Sequence, residues 1–375
     1  MIRSMGRSID NKKMDRRHVA RNRENMKSNF SFPVLEHPAP TCDSKNALDL
    51  AKEWMQLDQN SVATPLVSER DRNFLISANQ EKAILKISNH KEERGVLEFQ
   101  TEALLHLQKT TSLSLPRAKK SIDGEYLVTK NVGGEDCFVR MVTYLEGVPL
   151  DDIRAGIIDP KTLHLSMGNF LAKLGNGLEG FSHPNQNHPL LWDVGKTESL
   201  FDVLGSIQDE QKRKMAELAL LFYQNNTKEL LSEQRKQIIH NDMNPDNVLV
   251  SKEDPSSVVG MIDFGDMLHA PLINDLAVAC AYETIRVESL YSGSKDLLLG
   301  YHIENNLLES EAMLLPMLAY NRIAMSLIIS EWRASKHPEN KEYILGNIDH
   351  SWSIFKEINE EEIEKTGTQL VDLLV

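Results

Sequence analysis

Two short segments constrain this 375-residue chain more than anything else in it: residues 238–250, IIHNDMNPDNVLV, and residues 258–266, VVGMIDFGD. In the first, Asp242 stands two positions after His240 and five before Asn247, between apolar runs that read as buried backbone. In the second, Asp263 ends a strand-like apolar run, just ahead of Phe264 and Gly265. Two carboxylates and a carboxamide on loops that close β segments are what phosphoryl transfer needs. One carboxylate aligns an acceptor hydroxyl, while the amide oxygen and the second carboxylate hold a divalent ion against nucleotide phosphates. Mg²⁺ takes hard oxygen ligands and keeps several waters, so two protein oxygens suffice once phosphates are present. A lone D-x-x-x-x-N carries little weight; the two segments, joined by strand–turn–strand text, carry far more.

In these residues the chain resembles the kinase-like phosphotransferases, and among them the aminoglycoside phosphotransferase/choline kinase superfamily rather than protein kinases. His240-Asn241-Asp242 stands where small-molecule kinases have H-G-D and protein kinases H-R-D. Asp263-Phe264-Gly265-Asp266 is similar to that superfamily's I-D-F-G segment, and no A-P-E signature follows it. Residues 267–282, MLHAPLINDLAVACAY, instead place Asp275 at the opening of an apolar helix. Within the superfamily, hydroxylysine kinases and their bacterial relatives are the nearest match, through SERDRNFLI at 68–76, the H-N-D variant, G-D-M-x-H and Asn321-Arg322. The resemblance spans roughly residues 32–358. It implies an α+β, two-lobed fold: a small five-stranded antiparallel N-lobe with one helix over 31–145, and a larger, mainly helical C-lobe over 146–370.

The organisation of the text fits that frame. Residues 44–56 have helical spacing behind Ser44, and strand-like runs follow at 65–67, 73–76 and 82–87. Residues 92–109 read as one amphipathic helix with Val96, Gln100, Ala103 and Leu107 on a shared face. Strands are expected at 126–129 and 138–145, and Glu146-Gly147 breaks the pattern. Helices are then expected at 162–178, 197–207, 209–233, 272–289, 310–335 and 341–364. The insertion ahead of the catalytic loop lies where small-molecule kinases build their acceptor pocket.

Asp242 is the expected catalytic residue and acceptor contact, with Asn247 and Asp263 as metal ligands; the bland alternative for each is a turn residue capping its own loop. His240 is expected to hold the loop by ring hydrogen bonds. Asn244 either touches phosphate or only caps the turn before Pro245. Lys86, third from the end of an apolar strand, grips the α/β-phosphates if the resemblance holds, or is an exposed strand lysine. Glu98 and Glu102 each lie two residues, about 200° around the helix, from Gln100, which shares the face of Val96, Ala103 and Leu107 and is left as the expected partner of Lys86. Residues 68–73 contain no glycine, so Ser68, Arg70 or Asn73 would cap phosphates through side chains and backbone N–H groups, unless that stretch is an ordinary β-turn. The hinge at 142–145 would present the Thr143 C=O and Leu145 N–H to a purine. Asp275 is expected to brace the catalytic loop. Arg322, on a helix otherwise full of Ala, Ile, Leu and Met, either binds a substrate carboxylate or snorkels as a core arginine.

Charge narrows the partners. Lys and Arg number 42 against 55 Asp and Glu, giving −13, which argues against nucleic acid or an anionic membrane as main partner. No run of 18 apolar residues suggests a membrane span. Residues 1–29 carry nine Lys/Arg and no apolar signal core; a disordered tail, or text upstream of a start at Met14 or Met26, is expected there. Three scattered cysteines fit a reducing cytoplasm and exclude a disulfide scaffold or zinc site on spacing. The expected activity is transfer of the γ-phosphate of ATP or GTP, with Mg²⁺, to a hydroxyl of a small amine such as 5-hydroxy-L-lysine, by a monomer or homodimer. Homoserine, choline, ethanolamine or aminoglycoside acceptors are the alternatives within that class. A non-catalytic nucleotide-binding module is the alternative outside it.

Overall fold

Two tight turns set the register of the N-terminal sheet. Asn79 and Gln80 both have positive φ (50° and 66°), as do Gly133 and Gly134 (65° and 97°), so each pair forms the two-residue turn whose twist suits a β-hairpin. The hairpins belong to a six-stranded sheet: β1 (Val62–Leu66), β2 (Arg72–Ala78), β3 (Glu81–Ile87), β4 (Ala118–Lys119), β5 (Val128–Val132) and β6 (Glu135–Thr143). The order is β1-β2-β3-β6-β4 with β5 also on β6, every pair antiparallel. Five strands were expected; the extra one is the two-residue β4. The expected strand at 126–129 lies further on, at Val128–Val132, because the Gly133-Gly134 turn dictates where pairing with β6 begins. The computed structural model describes residues 32–375 apart from 69, 158, 339, 340 and 347; the tail expected at 1–30 lies outside the described residues.

Numbering only helices of eight residues or more, α1 is Ser44–Ala51 and α2 is Arg94–Thr110. The buried face of α2 (Val96, Leu97, Phe99, Gln100, Ala103, Leu104, Leu107) matches the period read from the sequence. The C-terminal part adds β7 (Val148–Pro149), β8 (Lys236–Ile239), β9 (Val248–Val250), β10 (Val258–Met261) and β11 (Leu268–Pro271). These form a sheet of order β10-β9-β7 and a separate β8–β11 pair. Around them stand α3 (Pro160–Gly177), α4 (Glu210–Phe222), α5 (Ile273–Val287), α6 (Leu290–Glu304), α7 (Glu309–Lys336), α8 (Ile348–Glu357) and α9 (Glu360–Asp372).

Three expected helices are revised. Residues 194–206 form a 3-10 run, begun by Asp193 accepting from the Gly195 N–H; glycines at 195 and 205 weaken the α-helical alternative. The helix expected over 209–233 is helical from Glu210 to Ser232 but passes through a π-turn, Tyr223–Thr227, where Asn225, Asn226 and Thr227 favour α-helix poorly. The helix expected over 341–364 is three helices, the last restarted by Asn359, whose side chain accepts from the Glu362 N–H. Helix α7 is long and apolar enough to cross a membrane by composition, with a mean hydropathy of 1.6 in its most apolar stretch, but 78% of that stretch is buried inside the protein. It is the core of the helical part.

Helices α3 and α6 meet backbone to backbone. A Cβ on Gly168 would lie 2.1 Å from the Leu297 carbonyl oxygen, and one on Gly300 2.2 Å from that of Leu165, so neither position accepts a side chain. The start of the helical part is pinned by an ionic cluster. Glu283 of α5, fully buried, accepts from Arg154 Nη2 at 2.8 Å and Arg286 Nε at 2.7 Å, and meets His164 Nε2 at 2.8 Å. Burial alone would raise its pKa, but His164, Arg154 and Arg286 together hold it down to about 2, against 4.5 for a free glutamate.

This cluster makes a pH-dependent contribution of known sign. Because the folded pKa is depressed, the stabilisation is complete above about 4.5 and is lost as pH falls toward about 2. Glu283→Gln removes the charge that three cationic or cation-capable side chains share, and should cost roughly 3–5 kcal/mol. Thermal unfolding should show a melting point lower by roughly 5–15 °C at neutral pH, with the wild-type and variant curves converging in acid; parallel curves from pH 7 to pH 3 would contradict it.

Candidate active site

The catalytic segment is a loop strung between two ladders. Strand β8 delivers His240 and pairs with β11, while β9 leaves from Asn247 and pairs with β10, so the loops 240–247 and 262–267 emerge side by side. They are stitched by the Ile262 N–H to the Asn247 carbonyl at 2.9 Å and by His240 Nε2 to the Ile262 carbonyl at 3.2 Å. His240 Nδ1 accepts from the Asp242 N–H at 3.2 Å, so the ring is the neutral Nε2–H tautomer. Burial pushes its pKa down to about 4, and the Phe264 ring meets it edge-on at 4.7 Å.

Asp275, at the N-terminus of α5, accepts from two successive backbone groups of this loop: His240 N–H to Oδ2 at 3.2 Å and Asn241 N–H to Oδ1 at 2.7 Å. Burial raises its pKa to about 6 despite both bonds. Asn241 sits in the left-handed region, φ 66°, and its Nδ2 donates to the Trp192 carbonyl at 3.3 Å.

Asp242 is half-buried and tightly aimed. Its Oδ1 accepts from Asn244 Nδ2 at 3.0 Å and its Oδ2 from Asn247 Nδ2 at 2.7 Å. Burial, then the charges of Asp266 and Asp263, push its pKa up, opposed by Arg322. Asn247 donates a second time to the Asp242 carbonyl at 3.1 Å, which turns its Oδ1 away from the loop. Asn244 also accepts from the N–H groups of Asp246 and Asn247, so here it builds the turn.

Asp263 has φ 57° and accepts from the Gly265 N–H at 3.1 Å. Lys86 Nζ lies 3.3 Å from its Oδ1; the lysine is 13% exposed and the aspartate 46%. The Lys86 charge, joined by Arg70, holds the Asp263 carboxyl far below the usual carboxylate range against the effect of burial.

This corrects one expectation. Gln100 is not the partner of Lys86: its Nε2 donates to the Gly265 carbonyl at 3.1 Å and its Oε1 accepts from Arg140 Nη2 at 2.6 Å. Arg140 stands directly opposite Lys86 in the β3–β6 register, and an amide, unlike a carboxylate, can accept from that arginine and donate to the Gly265 carbonyl at once. Arg140 was missed, although a charged residue inside the apolar run FVRMVT carries the same signal that singled out Lys86. Asp266 was missed too; it accepts from Arg70 Nη2 at 2.8 Å, and the same nitrogen donates to the Gly265 carbonyl at 2.9 Å.

One cleft is lined by Ser68, Arg70, Asn73, Lys86, Gln100, Arg140, Asp242 and Asp263. Asn73 Oδ1 is buried there with no hydrogen-bond partner. Thr143 closes β6, its N–H and hydroxyl engaged with Arg117, and Leu145 follows in the hinge; neither lines this end of the cleft. Arg322, 2% exposed, stacks its guanidinium 4.5 Å over the Trp192 ring, and its Nε and Nη1 have no hydrogen-bond partner.

A small antiparallel sheet with one helix, a helical part behind it, and an Asp-Asn/Asp pair facing a strand lysine define a kinase-like phosphotransferase. The chain belongs to the phosphotransferase enzyme family, whose model matches residues 62–302. It is 25% identical to hydroxylysine kinase of Mus musculus over 318 residues, covering 78% of this chain and 83% of that protein. To hydroxylysine kinase of Xenopus laevis it is 25% identical over 376 residues, covering 93% and 99%. An amicoumacin kinase solved with AMP-PNP, Ca²⁺ and amicoumacin shares the fold at a TM-score of 0.61 and 12% identity, covering 88% of this chain and 94% of that one.

Removal of the Asp275 carboxylate leaves the His240 and Asn241 N–H groups buried without acceptors. Asp275→Ala should therefore destabilise the protein by roughly 2–5 kcal/mol. Denaturant unfolding checks this; a midpoint within error of wild type would show that water or another side chain already serves both groups.

Proposed function

We propose that the chain transfers the γ-phosphate of ATP or GTP to a hydroxyl group of a small amine-bearing acceptor, an amino acid such as 5-hydroxy-L-lysine. The observation that carries the reading is Asp242, held through both carboxylate oxygens by Asn244 and Asn247 across a cleft from the Lys86–Asp263 pair. The substrate class is supported by the hydroxylysine kinase relatives, which align over most of their own length.

In this reading the acceptor hydroxyl donates a hydrogen bond to Asp242 and its oxygen attacks the γ-phosphorus in line. The new P–O bond forms as the bond to the β–γ bridging oxygen breaks. The hydroxyl proton goes to the Asp242 carboxylate, and the nucleoside diphosphate leaves. Lys86, Arg70 and Arg140 place three cations at the phosphate end of the cleft, while Asp275 and His240 keep the loop from relaxing. Nucleotide binding draws Lys86 from Asp263 toward the α- and β-phosphates, freeing that carboxylate.

The residues also fit Mg²⁺. Asn247 spends its amide nitrogen on Asp242, which leaves an amide oxygen free, and Asp263 presents an exposed carboxylate on the neighbouring loop. Among the described residues no cluster of three or more His, Cys, Asp or Glu could hold an ion alone, as suits one shared with phosphates and water. When bound, the ion neutralises charge on the β- and γ-phosphate oxygens. The cysteines are all free and buried, which supports the reducing cytoplasm expected for the chain.

Asp242→Ala should lower turnover by roughly 10²–10⁴-fold with little change in nucleotide affinity, because the residue handles the acceptor and not the phosphates. A coupled nucleoside-diphosphate release assay over amino acids and amino alcohols, with both ATP and GTP, reads this; a variant turning over at the wild-type rate would sink the mechanism. Asp263→Asn should raise the Mg²⁺ concentration for half-maximal rate steeply, since a hard cation loses a charged oxygen. An unchanged half-saturation point would remove Asp263 from the metal site.

A further inference from the structure

We infer that Arg322, Trp192 and Asn241 form a seat for a carboxylate of the acceptor, so that the site selects amino acids over the corresponding amines. The inference rests on the kinase reading above and adds to it the feature by which acceptors are told apart.

Arg322 lies in the middle of α7 between Asn321 and Ile323, 2% exposed, on the helix that forms the core of the helical part. Its guanidinium stacks on Trp192, yet among the described residues no carboxylate pairs with it, and Nε and Nη1 are buried without partners. A buried guanidinium left without an anion is costly, and an aliphatic side chain would fill the same space without that cost. An anion supplied from outside accounts for both facts. The stack on Trp192 fixes the plane of the guanidinium, and each of Nε and Nη1 shares an edge with Nη2, so either edge offers parallel N–H donors to a planar, two-oxygen acceptor, which is carboxylate geometry.

The seat is tied to the chemistry. Arg322 is tied to the catalytic loop through Trp192, whose ring it covers and whose carbonyl accepts from Asn241, yet Arg322 and Asp242 do not form an ion pair. An acceptor with its hydroxyl at Asp242 and its carboxylate at Arg322 bridges that gap. Asn241 sets the distance. It precedes Asp242, and its Nδ2 donates to the carbonyl of Trp192, the residue on which Arg322 rests. Its φ of 66° is one that glycine adopts freely, so the asparagine side chain is there for the tether and not for the turn. Asn241 is thus a positioning residue that couples the carboxylate seat to the catalytic loop. Lys86, Arg70 and Arg140 line the cleft with Asp242 and Asp263, whereas Arg322 lies outside that lining, so Arg322 is not one more phosphate contact.

The experiment compares kcat/KM for 5-hydroxylysine and for 1,5-diaminopentan-2-ol, the same molecule without its carboxylate. Wild type should prefer the amino acid by roughly 10²-fold, and in Arg322→Met the ratio should fall to near unity while the nucleotide KM stays within about threefold. Arg322→Lys keeps the charge but not the planar fork, and should retain only part of the preference. Asn241→Gly, which tolerates the left-handed backbone, should raise the amino-acid KM about tenfold with the nucleotide KM unmoved. A wild type that prefers the amino alcohol, or an Arg322→Met variant that weakens both acceptors equally, would overturn the seat. Should wild type phosphorylate neither compound, the acceptor assignment proposed above fails by itself. The seat is then tested by calorimetric titration of α-amino acids and their decarboxylated amines with AMP-PNP and Mg²⁺ present: carboxylate-dependent binding lost in Arg322→Met supports it, and its absence in wild type overturns it.

Discussion

Two backbone hydrogen bonds accepted by one buried carboxylate govern the geometry of the catalytic loop. Asp275 accepts from the backbone N–H groups of His240 and Asn241 and so fixes the two residues that lead into Asp242. From that point the constraints run outward in sequence. His240 holds Asp242 from one ring nitrogen and the 262–267 loop from the other, and Asn247 binds Asp242 twice. A carboxylate held at both oxygens and at its own backbone keeps little rotamer freedom. Placing an acceptor hydroxyl within hydrogen-bond reach of the γ-phosphate requires that rigidity, because positioning supplies most of the catalysis in phosphoryl transfer.

Helix α5 carries this brace and a second one. Asp275 opens the helix, and Glu283 two turns further on gathers Arg154, His164 and Arg286. The helix therefore links the catalytic loop to the segment that leaves the hinge and to α3. Across the cleft, Arg70 reaches Gly265 and Asp266 while Gln100 of α2 reaches the same Gly265 carbonyl. The 262–267 loop is thus held from both sides, by the sheet-bearing part and by the helical part. The cleft between carries cations and carboxylates in alternation, Arg70 on Asp266 and Lys86 on Asp263, with Asp242 beside them.

The placement of the candidate site residues was legible where local sequence carries it. Asp242, Asn247 and Asp263 could be read because the strands that position them are short, apolar and adjacent in the chain. Asp275 was legible as the acid opening an apolar helix. Partnerships across long sequence separations were not. Gln100 shares a face with Val96 and Leu107, and periodicity reported that face correctly, but it could not say whether Lys86 or Arg140 stood opposite. That depends on the pairing of β3 with β6, which sets Arg140 across from Lys86. Trp192 escaped notice for a related reason: it lies in a turn with no periodic pattern, and only packing of α7 brings Arg322 onto it. Helix type was misjudged where Asn, Thr or Gly interrupted an apolar stripe without abolishing it, as at 194–206 and 223–227.

In the proposed reaction the phosphoryl group passes directly from nucleotide to acceptor in the cleft that Asp242, Asp263 and Lys86 line. Phosphorus NMR of the purified protein with Mg²⁺, ATP and 5-hydroxylysine follows that transfer atom by atom. The signal of the γ-phosphate should decline in step with the growth of a phosphomonoester resonance on the acceptor and of nucleoside diphosphate, in equal amounts. Accumulation of inorganic phosphate at the same rate with and without any amino acid or amino alcohol, and no phosphomonoester from ATP or GTP, would contradict it.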